Sequence, residues 1–111
     1  MCSSDLLDET SGTRADSKGS NNLTDNNTVT YAPGRLGNAG HFKSANSEYL
    51  SIVDNTDLST GDIDFSLSAW VQAESLGNRV VIAKWNSLTP QREYYLWYSN
   101  TNSRFEFGVR D

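Results

Sequence analysis

The stretch Phe65-Ser66-Leu67-Ser68-Ala69-Trp70-Val71-Gln72-Ala73 alternates apolar side chains with mostly polar ones. Successive side chains of a β-strand point to opposite faces of the sheet, so a period of two indicates a strand with one apolar face. We therefore predict a strand over residues 65–73. Trp70 is the exception in this pattern, because it shares the polar face with Ser68 and Gln72.

The segments around this stretch have the same character. Ser99–Ser103 has the composition of a hairpin turn, and Pro33-Gly34 is a strong turn signal. No segment repeats its apolar residues at the period of a helix. Short strands separated by turn signals at intervals of about 8–12 residues are typical of sandwiches and barrels, so we predict an all-β chain. The further predicted strands are 28–31, 37–43, 47–53, 79–85, 93–98 and 104–109.

Size and composition exclude several classes of protein. The chain has 111 residues, which is one domain at most, and its three Trp, five Tyr and four Phe argue for a packed core. A net charge of −5 with scattered basic residues argues against nucleic-acid binding. No apolar run is long enough for a membrane helix, so we expect no membrane insertion, and no signal peptide is recognisable. Cys2 is the only cysteine, which excludes an internal disulfide.

The first six residues have a different interpretation. Met1–Leu6 reads as the translated end of a sequencing adapter with a GTG start codon, and we interpret residues 1–6 as a non-native leader or sequencing artefact. An ordinary short polar leader is the alternative. We therefore predict the fold from residues 7–111.

Two blocks, Asn46–Ile52 and Leu58–Val71, resemble the laminin-G-like, concanavalin-A-type jelly-roll family. That family has an aliphatic strand ending in Asp, a loop with a Gly, and then Phe-Thr-Ile-Ser-Ala-Trp-Val. Leu7–Gly12, Asp16–Gly19 and Gly37–Phe42 are similar to its earlier segments. The resemblance implies an antiparallel two-sheet jelly-roll sandwich. Such a fold needs about eight strands or more, so we expect residues 7–111 to be a partial domain, truncated at one or both ends. The alternative is a complete small β domain that completes itself by dimerising.

By this resemblance the chain is a non-catalytic binding module within a larger exported surface or tail protein, which would be extracellular, on a cell surface or on a virion. Its partner would be a carbohydrate or a surface protein. A purely structural or adhesive β-sandwich repeat is the alternative from another class.

A glucanase fragment is the less favoured alternative. Glucanases of this fold resemble one another in a strand motif that aligns three acids, two of which act as nucleophile and acid/base. The nearest match is Asp62-Ile63-Asp64-Phe65-Ser66-Leu67, which has Ser66 and Leu67 where the second essential carboxylate should stand. We therefore predict no catalytic residues and no enzyme activity.

Calcium is the one metal that the sequence makes worth considering. Ca²⁺ takes about six to eight oxygen ligands, and acidic residues occur in two regions, around Asp8–Asp16 and Asp54–Asp64. Neither region has the order of an EF-hand loop. The resemblance implies a structural calcium ion, with ligands unknown.

Aromatic residues are the candidates for glycan binding, because the C–H faces of sugars stack on Trp and Tyr rings. Trp70 lies on a polar strand face, where burial alone does not explain it. Trp85, Tyr95 and Trp97 would join it if their strands are neighbours. The alternative is that these rings pack under loops or against other strands.

Overall fold

The computed structural model describes residues 4–86 and 92–110. Cys2 and the predicted loop residues 87–91 lie outside the described residues, as do the first three residues of the predicted leader. The strands are β1 (Thr24–Asn26), β2 (Thr30–Pro33), β3 (Asn38–His41), β4 (Tyr49–Ser51), β5 (Arg79–Trp85), β6 (Arg92–Ser99) and β7 (Arg104–Val109).

Helical structure in the described ranges is limited to two single-turn 3-10 helices, Ser44–Asn46 and Thr56–Leu58. The prediction of an all-β chain is therefore confirmed. The described strands form antiparallel sheets of two, two and three strands. Within the same ranges, no helix has the length and apolar character needed to cross a membrane.

The chain divides into two compact units, residues 1–58 and 59–111. In the first unit β1 pairs with β4 and β2 pairs with β3. The predicted turn at Pro33-Gly34 joins β2 to β3, where the Gly34 N–H donates to the Gly37 carbonyl at 2.8 Å. Gly37 has φ +65°, which a side chain would strain.

The interior of the first unit is built around a buried arginine. Arg14 is 0% exposed and its backbone forms a bridge with Leu23. Its guanidinium donates to the carbonyls of Gly12 and Val29, the latter at 2.9 Å, and lies 3.9 Å from the Asp25 carboxylate. Because a buried charge is tolerated only with such partners, these contacts fix the loops that converge on Arg14.

The second unit contains the three-stranded sheet, in the order β5-β6-β7. β-Branched residues in β5 and aromatic residues in β6 favour strands because they pack on a pleated surface. Tyr94, Leu96 and Tyr98 of β6 project from one face, which we call the inner face. Their partners on β7, which project from the same face, are Val109, Phe107 and Phe105.

The predicted strand over 65–73 is wrong. Residues 64–73 have no regular secondary structure, although the Phe65 ring lies 5.3 Å from Tyr94 and 6.0 Å from Phe107. The Phe65 side chain thus packs on the inner face, although it does not belong to a strand. A strand also needs a neighbour for its backbone hydrogen bonds, and no described strand pairs with this stretch.

Candidate functional site

The face of the three-stranded sheet opposite the inner face carries a line of three aromatic side chains. Tyr95 and Trp97 are two positions apart on β6, so both side chains project from this face. Trp85, the last residue of β5, joins them through a ring contact with Tyr95. We call Trp85, Tyr95 and Trp97 the aromatic strip.

The rings of the aromatic strip meet edge to face. The centroids of Trp85 and Tyr95 are 5.3 Å apart with an interplanar angle of 87°. Those of Tyr95 and Trp97 are 6.4 Å apart with an angle of 88°. Aromatic quadrupoles favour this arrangement, which holds each ring in place against its neighbour. The three rings do not lie in one plane, so a flat ligand would stack on one ring and touch the edge of the next.

Gly108 makes room for the central ring of the strip. It lies opposite Tyr95 across the β6–β7 pair, and a Cβ at Gly108 would lie only 2.6 Å from the Tyr95 hydroxyl oxygen. Real Cβ atoms do not approach another atom so closely. The Tyr95 ring therefore covers the Gly108 backbone, and the position of the ring depends on the missing side chain.

Arg92 provides a cationic group at the Trp85 end of the strip. Its guanidinium carbon lies 5.3 Å from the centroid of the Trp85 ring, and its Nε donates to the Asn86 carbonyl at 3.1 Å. A guanidinium over an indole face contributes about 0.5–1 kcal/mol at a site of this exposure. Trp85 is 43% exposed, so this end of the strip is open to solvent.

Glu106 provides the polar group at the Trp97 end. Its carboxylate accepts the Trp97 Nε1–H at 3.1 Å, the Asn102 amide at 2.6 Å and the Arg104 Nε–H at 3.3 Å. The Asn102 hydrogen bond, followed by those of Trp97 and Arg104, lowers the pKa of Glu106. The strip thus ends in a carboxylate that stays charged at neutral pH and orients the Trp97 indole.

The structure brings together three of the four predicted site residues. Trp85, Tyr95 and Trp97 form the aromatic strip, whereas Trp70 lies in the irregular segment 64–73 and is 86% exposed. The prediction for Trp70 depended on a strand over residues 65–73, and without that strand there is no sheet face to align it with the others.

A second concave region lies beside the loop that precedes Phe65. It has a volume of about 450 Å³ and is lined by residues 59–65 together with the ends of β6 and β7. Lys84 Nζ lies 2.6 Å from both the Ser59 hydroxyl and the Glu93 carboxylate, and Glu93 also accepts the Thr60 N–H at 2.9 Å.

These contacts determine the charge of Glu93. Burial raises the pKa of Glu93, but hydrogen bonds from Lys84 and Thr60 outweigh burial and leave that pKa below its ordinary value. Both carboxylate oxygens already accept hydrogen bonds. Glu93 therefore anchors the loop to the sheet.

The acidic residues considered for calcium are partly committed to backbone amides. The Asp16 carboxylate accepts the N–H groups of Ser4, Lys18 and Asn21 at 3.0, 2.9 and 3.2 Å. Asp8 accepts the Asn38 N–H at 2.9 Å. Over residues 4–86 and 92–110, no three His, Cys, Asp or Glu side chains form a group that could hold a metal ion.

The chain was compared with protein-family models, curated proteins and solved structures. No protein-family model, no curated protein and no solved structure matches the chain. The geometry of the aromatic strip and the sequence resemblance are therefore the two grounds for a proposed function.

Three residues around the strip were not predicted from the sequence: Arg92, Glu106 and Asn102. A signal for Glu106 was available, because the predicted hairpin between 93–98 and 104–109 with a turn at 99–103 fixes which residues face each other. That register places Glu106 opposite Trp97. Arg92 had no comparable signal, since its position over Trp85 depends on a shift in the β5–β6 register between Lys84 and Trp85.

Proposed function

We propose that the chain is a non-catalytic carbohydrate-binding module that uses the aromatic strip as its binding surface. The observation that carries the proposal is that Trp85, Tyr95 and Trp97 share one face of one sheet, with Arg92 at one end and Glu106 at the other. Sugars present C–H groups that pack on aromatic rings and hydroxyls that pair with charged and amide groups. The strip and its two ends offer aromatic rings for the C–H groups and charged side chains for the hydroxyls.

The sequence resemblance supports the same function and a finer fold. A laminin-G-like jelly roll would use the three-stranded sheet as part of one of its two layers. We propose that the chain is part of such a module in a larger exported surface or tail protein. A surface protein is the other partner this fold class would recognise, through the same exposed strip.

The experiment is a titration of the full chain with a panel of oligosaccharides, followed by Trp fluorescence. We expect a saturable shift in emission for at least one glycan. Trp97→Ala and Trp85→Ala should each weaken binding by about tenfold or more, because buried aromatic anchors carry most of the energy of such interfaces. Trp70→Ala is the matched control, since it removes an indole outside the strip and should leave affinity unchanged.

Three outcomes contradict this proposal. Trp emission that does not change with any oligosaccharide of the panel would favour the purely structural repeat over the carbohydrate-binding module. Equal losses in all three Trp variants would show that the strip has no special role. Hydrolysis of a bound glucan would contradict the non-catalytic part and favour the glucanase alternative.

Calcium belongs to the same proposal, because the resemblance implies it as a structural ion. We propose that calcium stabilises the module, and each titration is therefore run with calcium and with a chelator. A rise in Tm on adding calcium that magnesium does not reproduce would support a specific site. Identical Tm values under both conditions would contradict it.

The purely structural repeat has an observation in its favour. Phe105, Phe107 and Val109 on the inner face are each more than half exposed, at 56%, 55% and 52%. Exposed apolar surface of this kind marks a packing site. A module that packs through its inner face and binds through its aromatic strip would satisfy both observations.

A further inference from the structure

The two edges of the three-stranded sheet differ in how they are protected. β5 has two register irregularities, between Val80 and Ile82 and between Lys84 and Trp85, and it carries a lysine. Such features discourage pairing with another strand. β7 pairs with β6 in unbroken register from Arg104 to Val109 and contains no proline or lysine. β7 is therefore the edge that is suited to accept a further strand.

The backbone groups that β7 presents at its outer edge can be identified. The Arg110 N–H donates to the Glu93 carbonyl at 2.8 Å, so Arg110 faces β6. In an antiparallel pair the hydrogen-bonding direction alternates along the strand. Glu106 and Gly108 therefore also face β6, and the N–H and C=O groups of Phe105, Phe107 and Val109 point outward.

Among the registers that pair at least five of residues 104–110 with a second copy, charge decides which one is taken. In a two-fold antiparallel pair, residues whose backbone groups point outward must lie opposite each other. These residues alternate along β7, so the two-fold axis passes between the two copies of a single residue, on which the pair is centred. Centring on Glu106 places two glutamates opposite each other, and centring on Phe107 places Arg104 opposite Arg110 twice. Like charges directly opposite are unfavourable. Centring on Gly108 places Glu106 opposite Arg110 twice, with Phe107 opposite Val109.

We propose that two copies of this chain associate through antiparallel β7–β7 pairing centred on Gly108. The pair joins the two sheets into one of six strands. Phe107 and Val109 extend the inner face across the two-fold axis. On the other face, the two glycines leave space for the Tyr95 rings that cover them. The Glu106 carboxylate has a remaining lone-pair position for the Arg110 guanidinium of the second copy.

The first test measures the dimer dissociation constant of the full 111-residue chain by sedimentation velocity over a concentration series. We expect a concentration-dependent dimer. Arg110→Glu places like charges opposite each other twice and should raise the dissociation constant at least about tenfold. Arg79→Glu changes the net charge equally but lies on β5, at the other edge of the sheet, so its dissociation constant should stay within about threefold of the wild type.

A backbone variant tests the edge itself. Val109→Pro removes an N–H that points outward, where proline is tolerated, and leaves the β6–β7 hydrogen bonds in place. We expect it to abolish dimers while the far-UV circular dichroism stays that of the wild type. A chain that is monomeric at all concentrations overturns the proposal, and so does a dimer that resists both Arg110→Glu and Val109→Pro.

Crosslinking tests the register. In a Cys2→Ser background, chains with Glu106→Cys and chains with Arg110→Cys are mixed and oxidised. Residues opposite each other without direct hydrogen bonds have Cα atoms about 4.5 Å apart, which suits a disulfide. We expect a disulfide-linked heterodimer. Faster self-crosslinking of Phe107→Cys, or tighter dimers from Arg104→Glu, would overturn the register centred on Gly108.

Discussion

Asp16 shows how a single carboxylate organises the first unit of the chain. It is 7% exposed and accepts backbone N–H groups from residues on both sides of it in the sequence. Hydrogen bonds from the Ser4 and Lys18 N–H groups, opposed by burial and reinforced by the Asn21 N–H, lower the pKa of Asp16 to about 2. The ionised form is therefore part of the folded structure.

The lowered pKa of Asp16 predicts an acid-dependent loss of stability. A carboxyl whose folded pKa lies below its unfolded value of 3.8 contributes its stabilisation fully above that value. The contribution is lost as pH falls from about 4 to about 2. Urea unfolding at a series of pH values should show this loss in the wild type, and Asp16→Asn should be less stable at neutral pH with a shallower decline.

Asp57→Asn is the control, because it removes an exposed carboxylate from a 3-10 helix. It should keep the acid decline of the wild type. Some decline will persist in Asp16→Asn, since hydrogen bonds also lower the pKa values of Glu9, Glu48, Glu93 and Glu106. Superimposable pH profiles for the wild type and Asp16→Asn would contradict the role assigned to this carboxylate.

At the scale of single residues, the sequence predicted the identity of the strip but not its surroundings. Trp85, Tyr95 and Trp97 could be selected because they lie on predicted strands. Trp70 was selected by the same reasoning, and the structure places it outside the strip. The alternation within a strand determines the sheet face from which each side chain projects. Which side chains lie beside it on that face depends on which strands pair.

Between β6 and β7, the Tyr95 ring packs directly on Gly108. A glycine in a strand interior often marks such a close approach. Because the Tyr95 ring occupies the position of the absent side chain, β6 and β7 are matched at this point by shape as well as by hydrogen bonds.

This packing predicts a strongly non-additive pair of substitutions. Gly108→Ala should destabilise the chain by about 1–3 kcal/mol, because the added methyl group must displace the Tyr95 ring. In a Tyr95→Ala background the same change should cost less than about 0.5 kcal/mol, since the space is then vacant. Chemical denaturation of the four chains gives the coupling energy. Additive effects would show that the ring does not depend on Gly108.

The elements that the sequence predicted well are those with local pairing. β5 was predicted with its observed bounds, and the hairpin of β6 and β7 was predicted within one residue at each end. A hairpin carries its partner beside it in the sequence, so alternation and turn composition suffice. The stretch 65–73 carries the same alternation, but its partner is not encoded nearby, and the structure provides none among the described strands.

Across the whole molecule, little apolar surface is fully removed from water. Among the described residues, the buried hydrophobic side chains are Val29 in the first unit and Tyr94 in the second. Large apolar side chains on the inner face remain about half exposed. Since burial of apolar surface is the main favourable contribution to folding, a chain built in this way has a small margin of stability.

We therefore predict that the native chain binds the dye ANS, which reports exposed apolar surface. Far-UV circular dichroism should show folded β-structure under the same conditions, and urea unfolding should give less than about 5 kcal/mol. An absence of dye binding, or a cooperative unfolding transition with a free energy well above about 5 kcal/mol, would contradict a small buried core.

The all-β class could be predicted because it follows from the alternation and turn spacing of every segment. The jelly-roll arrangement could not be derived in the same way, since it requires strands distant in sequence to find one another. The pairing of β1 with β4 illustrates the difficulty. Thr24 and Ser51 face each other across the chain, and neither segment has a pattern that selects the other.

The edge-to-face contacts of the aromatic strip also have an optical consequence. Tyr95 lies between two indoles, with centroid distances of 5.3 and 6.4 Å. At such separations an excited phenol transfers its energy to an indole before it can emit. Light absorbed by Tyr95 should therefore leave the protein as tryptophan emission, from Trp97 on the same strand and from Trp85 on β5.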